Sequence, residues 1–424
     1  MIGDPGALDG PARSSGELGA ADALPEPRDL ELLVPSGPVP LGFVREGTRI
    51  YLVASDLSFR WPIELLRTGA ARLRIGPRTL VGAAVLVVAP EERDRAAALF
   101  RAKFPPGDYD RWYARPARLL RIDLVDAGPP PPLSAEARYR RWVAAEFDNA
   151  AEGYDRQIRT NRISSLLRAR SLALLRPALA DAHRLLEIGC GSGIETVPML
   201  HAGHEILCVD LSTAMLETVR RRARQEGVAE RLTTRSLAAG DLARLLGEEG
   251  SASFDGAYST YGALNCEPDL TPVAGALTDL LPPGGRFVAG VYNRWCAIEL
   301  LGYGLTGQWR RAWARHARPV RAGSSRYGVD IYAYSPGDLF RAFAPAFRAR
   351  ALRAAPAILP PFDLAAYAEK FARRFDTLAR WDARLAAVPP FSALGDHFLA
   401  VLERRGCLPP SGPARRPSRK TPGA

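Results

Sequence analysis

A glycine-rich loop between a strand pattern and a helix pattern constrains this chain more than any other feature of its sequence. The strand pattern is Arg184-Leu-Leu-Glu-Ile188, the loop is Gly189-Cys-Gly-Ser-Gly193, and the helix pattern runs from Ile194 to Ala202. Glycines in such a loop let the backbone approach a nucleotide without Cβ collisions. A second strand at 206–210 and a second helix at 212–226 follow. This alternation predicts an α/β fold with a doubly wound, Rossmann-like sheet.

Two acidic residues near the loop distinguish between classes of nucleotide ligand. Asp210 ends the second strand, about 20 residues after the loop, where a carboxylate can accept hydrogen bonds from ribose hydroxyls. Glu187 comes directly before the glycines, and Ile194 stands where a dinucleotide fingerprint has its third glycine. A carboxylate at 187 would repel a pyrophosphate but attract an ammonium or a sulfonium. The pattern therefore favours a cationic nucleoside ligand over a dinucleotide.

Further short motifs follow the loop in a fixed order. They are Val209-Asp-Leu-Ser212 with Met215-Leu216, Gly240-Asp-Leu242, Phe254-Asp-Gly-Ala-Tyr258 and Leu280-Leu-Pro-Pro-Gly-Gly-Arg-Phe-Val288. With the loop, they resemble the ordered motif set of the class I S-adenosylmethionine-dependent methyltransferases over residues 145–291. One GxGxG loop is a weak signal, whereas five motifs in the right order are specific.

The resemblance implies a seven-stranded sheet and S-adenosyl-L-methionine as cofactor. In that family, residues at the matching positions surround the methionine end, hold the ribose, meet the adenine or close over the cofactor. Here they are Tyr154, Glu187, Gly189, Gly191, Gly193, Asp210, Leu211, Met215, Asp241, Leu242 and Tyr258. Taken singly, Asp210 and Asp241 also fit the simpler role of capping the helices that follow them. No metal site is expected.

The segment after the fourth predicted strand bears on the acceptor. Ser259-Thr-Tyr-Gly-Ala-Leu-Asn265 lacks the Asn/Asp-Pro-Pro-aromatic motif with which related enzymes act on amino groups of nucleic-acid bases. Cys266 follows Asn265 rather than proline, so the Pro-Cys arrangement of cytosine C5 methyltransferases is also missing. A nucleic-acid partner is therefore not expected.

An insertion after the fifth predicted strand is dense in aromatic and basic residues. It resembles the acceptor lid of small-molecule methyltransferases, although aromatic residues also fill ordinary cores. Six arginines and no acid occur between positions 300 and 329. We hypothesise that they face an anionic or carboxylated acceptor, with an ordinary solvated face as the alternative, so the expected partner is an aromatic or anionic small molecule. These arginines are Arg310, Arg311, Arg315, Arg318, Arg321 and Arg326.

Three residues are candidates for contacting the acceptor. Asn265 and Tyr292 follow the fourth and fifth predicted strands, whose carboxyl ends line the ligand crevice in open α/β sheets. His316 lies in the lid and is a natural base near neutral pH. His397, near the start of the predicted last strand at 396–402, fits a structural histidine better.

Short strands and two helices dominate the N-terminal part, which predicts a small α+β barrel. The stretch from Val53 to Gly69, a short strand, and the helix beginning Glu91-Glu-Arg-Asp-Arg95 resemble the split β-barrel of the deazaflavin-dependent nitroreductases. That family holds a cofactor phosphate with a basic turn, whereas the corresponding segment here, 34–40, contains no base. A scaffold, or a homodimer formed through the barrel, is therefore favoured over a redox site. A flavin- or deazaflavin-linked reductase is the alternative.

The length of 424 residues predicts two domains, at roughly 100 to 200 residues per domain. Between them, Gly128-Pro-Pro-Pro-Pro132 reads as a stiff spacer. The predicted organisation is a disordered tail (1–29), the barrel domain (30–126), a linker (127–134), the methyltransferase domain (135–405) with an acceptor lid at about 292–335, and a disordered basic tail (406–424).

Composition indicates a cytoplasmic protein without a membrane partner. The longest uncharged apolar run, Val81–Ala89, is far shorter than the roughly 20 residues that cross a bilayer. The first ten residues contain two acids and no base, unlike a secretory signal. Five cysteines without a CxxC pair fit a reducing compartment.

The net charge of +11 invites a nucleic-acid interpretation. Only three basic residues are lysine, which indicates a general arginine bias rather than a phosphate-binding face. Six of the basic residues lie in the tail at 404–424. An RNA or protein methyltransferase remains an alternative that the charge would explain.

Overall fold

The computed structural model describes residues 27–56, 59–125, 133–321, 328–361 and 372–406. They divide into two compact units, Met1–Glu152 and Gly153–Ala424. Most of the predicted linker and tails lies outside the described residues. Where the chain is described, no helix combines the length and the apolar character that a membrane crossing requires.

Six strands and three helices lie between residues 27 and 125 of the N-terminal unit. The strands are β1 (Asp29–Val34), β2 (Gly37–Glu46), β3 (Arg49–Ala54), β4 (Ala70–Ile75), β5 (Arg78–Leu86) and β6 (Arg118–Leu124). The helices are α1 (Trp61–Thr68), α2 (Pro90–Lys103) and α3 (Pro106–Trp112).

The six strands form a closed antiparallel barrel in the order β1-β2-β3-β6-β5-β4. Pairing of β1 with β4, with Leu32 opposite Leu73, closes it and leaves no free sheet edge. Alternation along β3 buries Ile50 and Leu52 on one face, while Tyr51 packs on the other with Phe100 of α2. The predicted barrel is confirmed, and its relation to the nitroreductases stays a prediction.

A seven-stranded sheet forms the centre of the C-terminal unit. Its strands are β7 (Arg184–Ile188), β8 (Glu205–Asp210), β9 (Leu232–Ser236), β10 (Gly256–Ser259), β11 (Arg286–Tyr292), β12 (Phe347–Ala355) and β13 (His397–Arg404). The helix α4 (Ala135–Thr160) includes residues on both sides of the boundary at Glu152. The helices of the C-terminal unit are α5 (Arg162–Ala178), α6 (Thr196–His201), α7 (Thr213–Gln225), α8 (Leu245–Glu249), α9 (Thr271–Leu280), α10 (Ala297–Leu305), α11 (Trp309–Ala312), α12 (Pro336–Phe343) and α13 (Phe375–Leu385).

The strand order is β12-β13-β11-β10-β7-β8-β9. The five strands from β11 to β9 run parallel, whereas β13 is antiparallel to both β11 and β12. Successive residues of a strand are buried on opposite faces: Leu186 and Ile188 join one apolar cluster, and Leu185 joins the other. Burial on both faces explains why these strands read as continuous apolar runs. The predicted doubly wound sheet is confirmed.

One helix differs from the prediction. The sequence predicts helices at 135–147 and 163–175 with a separate segment between them, but α4 continues through that segment to Thr160. The helix-favouring run Ala150-Ala-Glu152 explains the continuation. The next helix, α5, begins after Asn161, whose side chain accepts hydrogen bonds from the backbone N–H groups of Ile163 and Ser164.

Candidate active site

The glycine loop follows β7 directly, at the carboxyl edge of the sheet. Gly189 and Gly193 have φ values of 76° and 81°, a region that favours glycine. A Cβ at Gly189 would collide with Ala263, and one at Gly193 would lie 2.5 Å from Cγ2 of Val219. These glycines are therefore required by the packing of the loop itself.

The carboxylate of Asp210 fastens this loop to the end of β8. It accepts hydrogen bonds from the backbone N–H of Gly191 at 3.0 Å and of Ser212 at 2.9 Å. The N-terminal cap of α7 is Ser212, whose hydroxyl accepts from the N–H of Met215 at 3.1 Å. Ser212, and not Asp210, therefore caps α7 with its side chain. An ionised carboxylate has lone pairs for further donors such as ribose hydroxyls.

Glu187 is fully buried at the end of β7. Its Oε2 accepts hydrogen bonds from the hydroxyl of Thr196 at 2.6 Å and from the thiol of Cys208 at 3.1 Å. No described residue donates a hydrogen bond to Oε1. Burial raises the pKa of this carboxyl to about 7, although the two hydrogen bonds act in the opposite direction. An orphaned carboxylate oxygen at a buried position is costly unless a donor arrives with a ligand.

Tyr258 occupies the position opposite Glu187 on the neighbouring strand β10. Its buried hydroxyl faces that carboxyl group without completing a hydrogen bond of normal geometry. Burial also raises the pKa of Tyr258, with the nearby glutamate acting in the same direction. Oε1 of Glu187 and the hydroxyl of Tyr258 are thus two buried polar atoms without a hydrogen-bond partner among the described residues, next to the glycine loop.

Tyr154, near the end of α4, lies against the loop. Its ring carbon Cε1 is 3.7 Å from the position that a Cβ would take on Gly191. The hydroxyl of Tyr154 accepts a long hydrogen bond of 3.5 Å from Arg168, which is itself held by Glu195 at 2.9 and 3.0 Å. This placement fits the predicted closure over a cofactor.

The other residues assigned to the cofactor differ in exposure. Met215 and Leu242 are buried, and Leu242 belongs to the core cluster beneath the sheet. Leu211 and Asp241 are half-buried. Asp241 lies in the 3-10 turn Ala239–Arg244, and its N–H donates to the carbonyl of Ala238.

The amide of Asn265, one of the candidates for contacting the acceptor, forms hydrogen bonds with the backbone. Its Nδ2 donates to the carbonyls of Tyr292 at 3.2 Å and Tyr332 at 2.7 Å, and its Oδ1 accepts from the N–H of Tyr292 at 2.9 Å. The side chain is fully buried. Asn265 therefore fastens the loop after β10 to the end of β11.

Tyr292 is a buried part of a charged cluster at the end of β11. The guanidinium of Arg315 lies 4.0 Å from the centre of its ring. Arg315 donates to both oxygens of Glu299 at 2.5 Å and to Asp396 at 2.6 Å. The ring of His397, whose Nδ1 lies 3.1 Å from Asp396, meets Tyr292 edge-on at 5.3 Å. The expected structural role of His397 fits this pairing.

This cluster takes up one of the lid arginines and the carboxylates of a possible metal-binding group. Arg315 is buried between two carboxylates, so it does not face an acceptor as the sequence predicted for the lid arginines. Cys296, Glu299 and Asp396 bring ligand atoms within 4.8 Å of one another, but the guanidinium of Arg315 already pairs with both carboxylates. The group is thus an ion-pair network, in which each buried charge has a partner.

The remaining lid arginines behave differently. Arg310 and Arg311 are exposed. Arg318 donates to the carbonyl of Pro268, and Arg321 pairs with Asp330 at 3.0 Å. Arg326 lies outside the described residues.

His316 is enclosed by two indole rings. Its ring centre lies 4.4 Å from that of Trp295 and 4.7 Å from that of Trp313. Both ring nitrogens are buried, and no described residue forms a hydrogen bond with either of them. Burial lowers the pKa of His316, and the nearby Arg294 and Arg315 lower it further. The imidazole is therefore neutral at neutral pH and has an acceptor nitrogen to offer.

Sequence reasoning missed Tyr261, in the loop after β10. Its φ is 48°, in a region that residues other than glycine seldom adopt. The hydroxyl donates to the carbonyl of Leu167 at 3.0 Å and accepts from Ser171 at 2.7 Å, and Arg168 lies over the ring at 4.9 Å. No sequence pattern marks this residue, because its contacts come from a helix about 90 residues earlier in the chain.

Comparison with known proteins finds a family match over part of the chain. Residues 185–285 match a family described as a methyltransferase domain. The ubiquinone biosynthesis O-methyltransferase of Xanthomonas axonopodis pv. citri is 32% identical over 122 residues, 29% of this chain and 47% of that protein. The demethylmenaquinone methyltransferase of Beutenbergia cavernae is 30% identical over 174 residues, 38% of this chain and 63% of that protein.

The chain spans about half the length of the curated relatives it matches. Among solved structures, the 1,6-didemethyltoxoflavin-N1-methyltransferase of Burkholderia thailandensis is similar at 18% identity and a TM-score of 0.39, over 65% of this chain and 92% of that one. The family match covers the glycine loop, β8 and β10, which is the region of the site described above. Residues 185–285 of the C-terminal unit therefore resemble a methyltransferase domain.

Proposed function

We propose that this protein is an S-adenosylmethionine-dependent methyltransferase that acts on a small-molecule acceptor. The observation that carries the proposal is Oε1 of Glu187, a buried carboxylate oxygen without a donor directly before the glycine loop. A ligand that brings an ammonium would donate a hydrogen bond to this oxygen, and the positive charge of an ammonium or sulfonium would favour the ionised carboxylate. A pyrophosphate would do neither.

Each residue of the loop region has a distinct role in this proposal. The carboxylate of Glu187 holds the cationic amino-acid end of the cofactor, Asp210 accepts from its ribose hydroxyls, and Tyr154 covers it. When bound, S-adenosylmethionine supplies an electrophilic methyl group on a sulfonium. The protein contributes mainly orientation and exclusion of water, which is sufficient for an in-line displacement.

His316 is the group that we assign to the acceptor. Of the three predicted candidates, Asn265 is committed to the backbone and Tyr292 is buried beneath Arg315. His316 keeps two nitrogens without a partner among the described residues, and its lowered pKa leaves one of them ready to accept a proton. An acceptor hydroxyl that arrives protonated would need such a base. The names of the relatives, which include two quinone-pathway methyltransferases, agree with a small acceptor.

Transfer of a labelled methyl group tests this proposal. The protein is incubated with methyl-labelled S-adenosylmethionine and separate small-molecule, RNA and protein fractions of a cell extract. We expect label in the small-molecule fraction, and a loss of about 100-fold in the rate for His316→Asn, the lower range for a general base. His183→Asn, at an exposed position, is the control. Label found only in RNA or protein would refute the proposed acceptor class.

The pH dependence separates a chemical role of His316 from a structural one. Because its pKa lies below the ordinary value, the wild-type rate should be constant from neutral pH upward and fall in acid as the imidazole becomes protonated. His316→Asn should abolish this fall while the affinity for S-adenosylmethionine stays the same. An unchanged pH profile in the variant would assign His316 to the structure of the lid.

A further inference from the structure

The helix α10 buries a glutamate and exposes two of its leucines. Its buried residue is Glu299, which is fixed by the two hydrogen bonds from Arg315. Leu301 and Leu305, one helical turn apart on the same face, are 62% and 88% exposed. A helix normally turns such leucines inward. The ion pair thus holds α10 in an orientation that directs its apolar face outward.

Three tryptophans extend this apolar face beyond α10. Trp309 packs over Gly304 of α10, and Trp313 follows one turn later on the same side of the chain. Trp313 meets Trp295 edge-on, with 6.4 Å between ring centres. The exposed fractions of Trp309, Trp313 and Trp295 are 62%, 51% and 40%. We call these five residues, Leu301, Leu305, Trp309, Trp313 and Trp295, the lid face.

The lid face stands out from the rest of the described surface. Twelve large hydrophobic side chains are exposed among the described residues, and five of them lie within the short segment 295–313. The three most exposed of the twelve, Leu305, Leu301 and Trp309, all belong to it. Contiguous exposed apolar residues of this kind mark an interaction surface.

The charges beside the lid face have one sign. Arg310 and Arg311 are exposed between Trp309 and Trp313, and no acid occurs between positions 300 and 329. The combination of exposed leucine and tryptophan with adjacent arginine is typical of helices that lie in the interface of an anionic membrane. A twofold contact between two copies would instead bring arginines of this segment against each other without an acid of the segment to pair them.

We propose that the lid face docks on the surface of an anionic phospholipid bilayer. The leucines and tryptophans would enter the boundary between headgroups and acyl chains, and Arg310 and Arg311 would contact lipid phosphates. Such a contact lies in the plane of the membrane and needs no spanning segment. It departs from the sequence-based expectation of no membrane partner, because the outward face of α10 is set by a buried ion pair. Vesicle binding does not depend on the proposed methyl transfer, so the two can be tested separately.

Co-sedimentation with vesicles tests the proposal. The full chain is mixed with vesicles of phosphatidylcholine alone and of phosphatidylcholine with phosphatidylglycerol. We expect binding to the anionic vesicles that weakens as salt is raised. Leu301→Ser with Leu305→Ser should weaken it at least about tenfold per leucine. Arg310→Gln with Arg311→Gln should weaken it about 30-fold, at roughly fivefold per basic residue.

Matched controls show whether the effect belongs to this face. Arg380→Gln with Arg384→Gln removes the same charge from exposed positions of α13, and Trp112→Ser removes an exposed tryptophan of the N-terminal unit. Both should bind vesicles like the wild type. Circular dichroism spectra and thermal melts of every variant check that the protein is folded.

Three outcomes would overturn the proposal. The first is a wild-type protein that binds neither kind of vesicle. The second is a self-association, measured by light scattering, that the leucine variant abolishes, because the lid face would then join two copies. The third is equal weakening in the variants and in their controls, which would show general charge or hydrophobicity instead of a defined face.

Discussion

At the scale of single residues, the buried carboxyl group of Glu187 lowers the stability of the ligand-free protein when it is ionised. Burial raises the pKa of this carboxyl to about 7, above the ordinary 4.5. The folded protein therefore holds its proton more tightly than the unfolded chain, and the free energy of unfolding falls as the pH rises from about 4.5 to about 7. The ionised form above that range is the one that a cationic ligand needs.

A substitution at Glu187 makes this cost measurable. Above pH 7, Glu187→Gln in the ligand-free protein should raise the free energy of unfolding by up to about 3 kcal/mol, and the gain should shrink towards pH 5. Denaturation in urea at several pH values measures it. Glu205→Gln, at an exposed position of β8, is the matched control. A gain that is the same at pH 5 and pH 8 would contradict the account.

The glycine loop allows a second test at the same scale. Gly193→Ala should destabilise the protein by about 2 to 4 kcal/mol, because it adds strain at positive φ to a clash with Val219. Gly227→Ala has a similar φ of 69° in open space and should cost only the strain. Adding Val219→Ala to Gly193→Ala should relieve the clash and leave the strain. Equal stability losses for the two glycine variants would show that the contact has no effect.

The residues of the site were predicted to unequal degrees. Glu187, Asp210 and the glycines follow from sequence because they lie on one strand-loop-helix unit and its neighbour. The roles of Asn265 and Arg315 do not, since their partners come from distant segments: Asn265 binds Tyr332, and Arg315 binds Asp396. A motif reports local geometry, whereas hydrogen bonds across the fold depend on tertiary packing.

At the scale of elements, the alternating strands and helices from β7 to α7 were predictable because each has a clear period and a recognisable end. The pair β1 and β2 was not, because Pro38 and Pro40 remove two donors and mask the strand pattern of β2. The helices of the lid were also not predictable as an outward-facing surface. The orientation of α10 depends on Glu299, whose partner Arg315 lies 16 residues later in the chain.

The ion-pair network that fixes α10 gives a prediction at this scale. Arg315→Ala leaves the buried carboxylates of Glu299 and Asp396 without their shared partner, which should lower the free energy of unfolding by about 3 to 5 kcal/mol. Arg310→Ala, at an exposed position of the neighbouring α11, should change it by less than about 0.5 kcal/mol. Chemical denaturation measures both. A loss for Arg315→Ala as small as that for Arg310→Ala would show that the network does not hold the lid.

At the scale of the whole molecule, length and composition indicated two domains and a basic protein. The structure divides into two compact units, of which the first is a closed barrel. We retain as a proposal that the barrel acts as a scaffold or dimer surface, which light scattering on the full chain would test. Part of the positive charge lies beside the lid face, where the exposed Arg310 and Arg311 are the residues that we propose to contact lipid phosphates.

We propose that the C-terminal unit binds S-adenosylmethionine through Glu187, Asp210 and the glycine loop. Calorimetric titration of the full chain with S-adenosylmethionine and with its demethylated product tests it most directly. We predict one site per chain in the wild type and a loss of affinity of at least about tenfold in Asp210→Ala, because a charged hydrogen-bond acceptor for the ribose is removed. Asp376→Ala, at an exposed position of α13, should bind like the wild type. Absence of binding by the wild type, or equal affinity in Asp210→Ala, would contradict the claim.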